Sequence, residues 1–115
     1  MDMEDIGRKA LLFDVYGPLL TEKQRQVYDL AVGEDMSLGE IAEVSGVSRQ
    51  AVHDMVRRTG RILEKYEEKL GLAGKFLEIE THLTRIRALI DAAPAAPLSR
   101  SILAEIDAID RIERN

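Results

Sequence analysis

The residues of this chain that could recognise another molecule lie in one short stretch, "SRQAVHDMVRR". On a helix its polar side chains share one face, and most of them are donors of the kinds that bind base edges and phosphates. Asp54 lies on the same face, where it would repel a phosphate or accept from a cytosine amine. A nucleic-acid contact surface and a merely solvated helix face both fit this pattern. The candidate nucleic-acid-binding residues are Ser48, Arg49, Gln50, His53, Arg57 and Arg58.

Outside this stretch the sequence offers little chemistry. The two histidines, His53 and His82, are far apart in the chain and have no group of carboxylates around them, and there is no cysteine. No Ser/His/Asp arrangement and no Gly-rich phosphate loop is present. We therefore expect no metal site, no cofactor and no enzymatic activity.

The charge of the chain is unevenly distributed. Its 16 basic and 21 acidic residues give a net charge of −5, yet residues 48–65 hold five basic and two acidic groups. Residues 1–47 hold four basic and ten acidic groups. Because the Debye length is about 8 Å at physiological salt, the local positive field counts for more than the total, although the acidic body opposes non-specific binding.

The contact residues follow the spacing of a helix-turn-helix. Ala42 is a small residue where two helices would cross, and Gly46 supplies the left-handed backbone of the turn. Val47 would plug the angle between the helices, and Val52 and Met55 would anchor the second helix from inside. This arrangement exposes the N-terminal part of the second helix, which is the part that meets base edges in such motifs.

The remaining apolar patterns also have helical period. Gly17 suits the C-cap of a first helix, because Pro18 cannot continue it. Two capping-box patterns, Thr21 with Gln24 and Ser37 with Glu40, predict helix starts, and "GED" separates the two helices. Ser48 can cap a third helix, which contains Gly60 in its interior at a cost of about 1 kcal/mol relative to Ala. A close helix crossing would explain this glycine, but we favour simple tolerance.

After "GLAG" an apolar stripe with alternating spacings of three and four predicts a long helix. The stripe is either core within one chain or the interface of a homodimer, and its residues are Phe76, Ile79, Leu83, Ile86 and Ile90. The segment Pro94 to Pro97 then interrupts the pattern. A last helix follows, with five residues predicted to face inward: Ile102, Leu103, Ile106, Ile109 and Ile112.

The stretch "SLGEIAEVSGVSRQAV" resembles the fourth-region helix-turn-helix of bacterial sigma factors. A longer match, from about Leu11 to Phe76, resembles the small bacterial UPF0122 family, also called YlxM. Genes of that family lie beside those of the signal recognition particle, so the resemblance implies a regulatory role in that pathway. The chain departs from the family pattern at His53, Met55 and Gly60, where tyrosine, asparagine and glutamate are usual.

From these features we expect an all-α fold, with a sigma region 4-like helix-turn-helix bundle over residues 1–72 and additional C-terminal helices over residues 73–115. The expected function is nucleic-acid binding, to DNA or RNA, by a homodimeric regulator linked to the signal recognition particle. The alternative is an interaction module that does not bind DNA and docks on a protein or RNA component of that particle. The acidic N-terminus "MDMEDIGRK" is unlike a secretory leader, and no apolar run approaches about 20 residues, so we expect a cytoplasmic protein without membrane contact.

Overall fold

The computed structural model describes residues 3–92 and 97–114, and these are helical throughout apart from short turns. The expected break at Pro94 lies outside the described residues. The all-α expectation is confirmed, since the described residues contain no strand. The α-helices are α1 (Met3–Tyr16), α2 (Glu22–Tyr28), α3 (Leu38–Ser45), α4 (Arg49–Leu70), α5 (Leu72–Asp91) and α6 (Pro97–Arg114).

The starts of α2, α3 and α4 are fixed by side-chain caps. Both predicted capping boxes are confirmed: Thr21 Oγ1 accepts from Gln24 N at 3.2 Å, and Ser37 Oγ accepts from Glu40 N at 3.1 Å. Ser48 Oγ accepts from Ala51 N at 3.1 Å, as expected for the cap of α4. Each cap satisfies a backbone N–H that has no partner inside its helix, an effect worth about 1 kcal/mol.

The turn between α3 and α4 has the geometry that the sequence predicts. Gly46 ends α3 with φ 71°, a left-handed conformation that glycine adopts without a Cβ clash, and its N–H donates to Ala42 O. Beneath the turn, Ile41 and Val52 form a buried cluster with Val27 of α2. The half-buried residues packed on this cluster are Leu30, Ala31, Met36, Leu38, Ala42, Val47, Met55 and Val56.

A second buried cluster joins α1 to the C-terminal half of α4. It contains Leu12, Tyr16 and Leu63, and Ala73 from the first turn of α5 completes it. Gly60 lies inside α4, and a Cβ added there would meet only the hydroxyl of Tyr28, at 3.5 Å. Because that is an ordinary contact distance, no close helix crossing requires this glycine.

Two segments before α3 differ from the expectation. Gly17 does not take a left-handed conformation; it begins a 3₁₀ turn, Gly17–Leu19, because Pro18 suits the first positions of a helical turn. After α2 the chain continues as a π-helical turn, Asp29–Gly33, rather than as ordinary α-helix up to the predicted break at "GED". The N–H of Glu34 donates to Asp29 O at 2.9 Å, which closes that turn before the chain bends at Asp35.

The start of α5 is capped by side chains from two other helices. The predicted break at "GLAG" is shorter than expected, because Gly71 ends α4 in a left-handed conformation and α5 begins at once. The hydroxyl of Tyr16 accepts from Leu72 N at 3.1 Å and donates to Glu67 Oε1 at 2.5 Å. The same carboxylate oxygen accepts from Ala73 N at 3.0 Å. Burial, and next the Glu67 carboxylate, raise the pKa of Tyr16, so the phenol stays protonated.

Two compact units divide the chain, residues 1–73 and residues 74–115. In the second unit Leu83 and Ile106 are buried, and Arg87 forms salt bridges to Asp107 at 2.9 Å and to Asp110 at 2.5 Å. The expected inward face of α6 is only partly correct. Ile106 is buried and Leu103 is half-buried, whereas Ile102, Ile109 and Ile112 are exposed. The apolar stripe is wider than the surface that one neighbouring helix can cover.

The half-buried position of Ala42 at the turn leads to a test of the fold. Ala42→Leu should lower the free energy of unfolding by about 1–3 kcal/mol, because extra methylenes do not fit between α3 and α4. Chemical denaturation measures this loss. Val44→Leu on the same helix is the control and should be neutral, because Val44 is 70% exposed. Equal stability of the Ala42→Leu variant and the parent would contradict the packing described for this turn.

The hydroxyl of Tyr16 leads to a second test. Tyr16→Phe should cost about 1–3 kcal/mol, because it leaves the N–H of Leu72 without its acceptor and removes a donor from Glu67 Oε1. Tyr66→Phe is the matched control, since the Tyr66 hydroxyl has no hydrogen-bond partner among the described residues. Thermal unfolding followed by circular dichroism should separate the two variants, and similar melting of both would show that the cap on α5 contributes little.

Candidate nucleic-acid interface

The first turns of α4 expose all six predicted contact residues. Their side chains belong to one continuous helix whose opposite side is held by Val52, Thr59 and Leu63, all buried. Because these three buried residues hold one side of α4 in the core, the residues on its other side must face the solvent. The residues on this surface are Ser48, Arg49, Gln50, His53, Arg57 and Arg58.

The N-terminus of α4 is favourable for an anion. The first turns of α2 and α3 hold Glu22 and Glu40, which offset the positive end of the helix dipole, whereas the first turn of α4 holds no acidic residue and starts with Arg49. A cation at this end of a helix costs about 0.3–1 kcal/mol. Ser48 accepts a backbone hydrogen bond through Oγ, which leaves its hydroxyl hydrogen free to donate outward.

Asp54 contacts two neighbours on the same surface. Gln50 Nε2 donates to Asp54 Oδ1 at 3.1 Å, and His53 Nδ1 lies 3.6 Å from the same oxygen. Gln50 is therefore held in one orientation, with its amide oxygen still available. The carboxylate remains exposed, so it would weaken phosphate binding close to it.

The arginines of this surface are not used by the fold. Arg49, Arg57 and Arg58 are exposed and form no salt bridge within the described part of the chain. Sequence reasoning missed that Arg61 and Lys65 extend the series from Arg57 along α4 at intervals of four residues. The spacing of these residues in the sequence was enough to predict the series, because residues four positions apart share one side of a helix.

The two histidines take no part in any group of three metal-ligating side chains among the described residues. Such a group does form in the second unit from Glu80, Asp110 and Glu113, whose carboxylate oxygens lie within 4.8 Å of one another. Arg87 binds Asp110, and burial together with Glu80 raises the pKa of Glu113. The repulsion within the cluster is thus relieved by one arginine and by easier protonation of one carboxyl group.

The predicted dimer residues on α5 have unequal exposure. Leu83 is buried in the single chain, Phe76 and Ile90 are half-buried, and Ile79 and Ile86 are exposed. Leu83 therefore contributes to the core of the second unit, whereas Ile79 and Ile86 are exposed to solvent. Within the described residues, no helix combines the length and the apolar character that spanning a bilayer requires.

Comparison with known proteins gives one consistent result. The family model described as "Putative helix-turn-helix protein, YlxM / p13 like" matches residues 3–94. A UPF0122 protein of Symbiobacterium thermophilum is 42% identical over 102 residues, covering 89% of this chain and 95% of the relative. A UPF0122 protein of Bacillus licheniformis is 43% identical over 113 residues, covering 98% of this chain and all of the relative.

A UPF0122 protein of Desulforamulus reducens is 48% identical over 89 residues, covering 77% of this chain and 76% of the relative. The matched region contains the whole helix-turn-helix, with its capped helices, its left-handed glycine and the exposed start of α4. The description of the family names the helix-turn-helix, the motif that α3 and α4 form in this chain. The chain belongs to the UPF0122 family.

Proposed function

We propose that this chain binds nucleic acid through the exposed start of α4. One observation carries the proposal: three exposed arginines on the solvent side of the second helix of a helix-turn-helix form no salt bridge with any residue that the structure describes. Ser48 and Arg49 lie at the helix end that attracts phosphate, and Gln50 and Arg57 lie where base edges would come within reach. Arg58 is suited to a flanking phosphate.

The affinity of one copy is limited by charge. Phosphate neutralisation sets most of the affinity for nucleic acid, and a single chain offers only a handful of cations on an otherwise acidic body. Two copies acting together would add their contacts and raise the apparent affinity by about a hundredfold or more where the geometry permits. We therefore propose a homodimer as the active form.

The dimer interface is assigned to the second unit. Eight large apolar side chains of α5 and α6 are exposed, which is more than isolated surface residues account for. Ile79 and Ile86 belong to the interface that the sequence predicts, and Leu83 supports them from within one copy. The exposed residues are Leu77, Ile79, Ile86, Leu89, Leu98, Ile102, Ile109 and Ile112.

The likeness of this chain to the UPF0122 family, whose genes lie beside those of the signal recognition particle, is the reason for connecting it with that pathway. The proposed role is that of a regulator whose target is DNA or RNA. A second candidate function has its own support in Asp54, an exposed carboxylate in the middle of the contact surface. A surface with that feature suits a module that docks on a component of the particle without binding DNA.

The proposed contacts can be tested with the exposed arginines. Arg49→Ala and Arg57→Ala should each weaken nucleic-acid binding and lower the slope of log affinity against log salt by about 1, because each removes one phosphate contact. Unfolding free energies should change by less than about 0.5 kcal/mol, since both side chains are exposed and neither forms a salt bridge in the part of the chain that the structure describes. Fluorescence anisotropy with a generic duplex and with a structured RNA gives both slopes.

Lys69→Ala is the matched control, because Lys69 lies on the same helix at its far end and should leave the slope unchanged. No binding of duplex DNA at low salt would refute DNA recognition and favour docking on the particle. A large loss of stability in either arginine variant would show instead that the arginines are structural.

The proposed dimer leads to a separate measurement. Ile79→Glu combined with Ile86→Glu should convert a homodimer into a monomer, because charges on exposed apolar positions oppose association without disturbing the core of one copy. Sedimentation velocity of the full chain at tens of micromolar measures the change. Thr84→Glu, at an exposed polar position of the same helix, is the control. A parent chain that sediments as a monomer would rule out the interface.

A further inference from the structure

A large apolar groove borders the nucleic-acid contact surface along α4. All of its walls belong to residues 1–73, and it encloses about 1090 Å³ between α1, the π-helical turn and α4. Its apolar lining includes Leu12, Val32, Met36 and Val56, which belong to the two buried clusters or pack against them. The exposed side chain of Ile6 also lines it. None of the six predicted contact residues except His53 and Arg57 reaches it.

The size of the groove fits a helix better than a small metabolite. One turn of α-helix about 10 Å across and 5.4 Å long occupies about 420 Å³, so the groove could receive between two and three turns. Small-molecule sites seldom exceed about 1000 Å³ and are more enclosed. An apolar trough open along one side is the usual receptor of an amphipathic helix.

One edge of the groove carries a line of positive charge. Arg57, Arg61 and Lys65 follow each other along α4 at intervals of four residues, and none of them forms an ion pair within the described residues. Glu64, which also lines the groove, is held by Arg8 through two hydrogen bonds of 2.9 and 2.8 Å. That pairing lowers the pKa of Glu64, so its negative charge is already satisfied.

Gly60 leaves the wall of the groove open at its middle. A Cβ there would meet only the hydroxyl of Tyr28 at 3.5 Å, so the fold does not require glycine at this position. In a helix interior glycine is destabilising, and the missing side chain leaves room beside the apolar floor. A larger residue at this position would project into the space that a bound helix needs.

We propose that this groove binds an acidic amphipathic helix of a partner protein, with the apolar face of that helix on the floor and its carboxylates along Arg57, Arg61 and Lys65. The charge of the rim selects this occupant, because unpaired cations beside an apolar trough complement acidic residues that flank an apolar stripe. Arg57 belongs to both surfaces, whereas Gly60 lines the groove and is not one of the six predicted contact residues, so a variant at Gly60 separates the two kinds of binding.

The test uses the full chain and a labelled synthetic peptide of 18 residues, with leucines on one helical face and glutamates beside them. Anisotropy titration should show binding that weakens as salt is added. A peptide of the same composition with its leucines spread around the helix, and a peptide with lysines replacing the glutamates, should each bind at least about tenfold more weakly. Equal binding of the acidic and basic peptides would overturn the proposal.

Two matched pairs of variants locate the site. Gly60→Phe should weaken peptide binding about tenfold or more by filling the groove, whereas Gly60→Ala should bind like the parent. Arg61→Glu should weaken it by about three- to tenfold, whereas Lys69→Glu, outside the groove on the same helix, should not. Circular dichroism establishes that each variant is folded, and the arginine pair decides the question should Gly60→Phe fail to fold.

A titration of Gly60→Phe with duplex DNA distinguishes the other occupant of a basic groove. This variant changes no charge, so its DNA affinity should stay within about threefold of that of the parent. A loss of DNA binding in this variant, with peptide binding unaffected, would show that the groove serves nucleic acid and would overturn the proposal.

Discussion

The packing of one long helix, α4, sets the arrangement of everything else in residues 1–73. Val52 places its N-terminal half in the cluster made with Ile41, Leu63 places its C-terminal half in the cluster made with α1, and Val56 contacts both clusters. The two anchoring positions are about 16 Å apart along the helix axis. A rotation of the exposed end would have to disturb both clusters, so the arginines at that end project from a support that is fixed at two points.

The distribution of carboxylates explains how an acidic chain can present a basic surface. Glu22 and Glu40 lie at the starts of α2 and α3, and Glu67 caps the start of α5 together with Tyr16. Each of these acidic groups stabilises a helix end by pairing with backbone N–H groups or with the helix dipole. These three carboxylates are therefore used at helix ends, whereas the first turn of α4 holds no acidic residue and is left for an external anion.

Local chemistry made most of the helix-turn-helix predictable, because caps, the left-handed Gly46 and the 3–4 spacing act within a few residues of one another. The exposure of the six candidate contact residues was predictable for the same reason. What sequence reasoning missed depends on distant partners: the Tyr16 hydroxyl that caps α5 lies 56 residues from Leu72 in the chain. The faces of α6 were misjudged because an apolar stripe does not reveal how much of it a neighbouring helix covers.

The π-helical turn Asp29–Gly33 gives the chain one place where its length is adjustable. A π turn holds one residue more than an α turn, so a single deletion there could be absorbed by conversion to ordinary helix. A deletion within α4 would instead rotate every later side chain by about 100° and carry Arg57 and Arg61 off their surface. We therefore expect a change of length by one residue to be tolerated within this turn and to disrupt the exposed surface when it falls within α4.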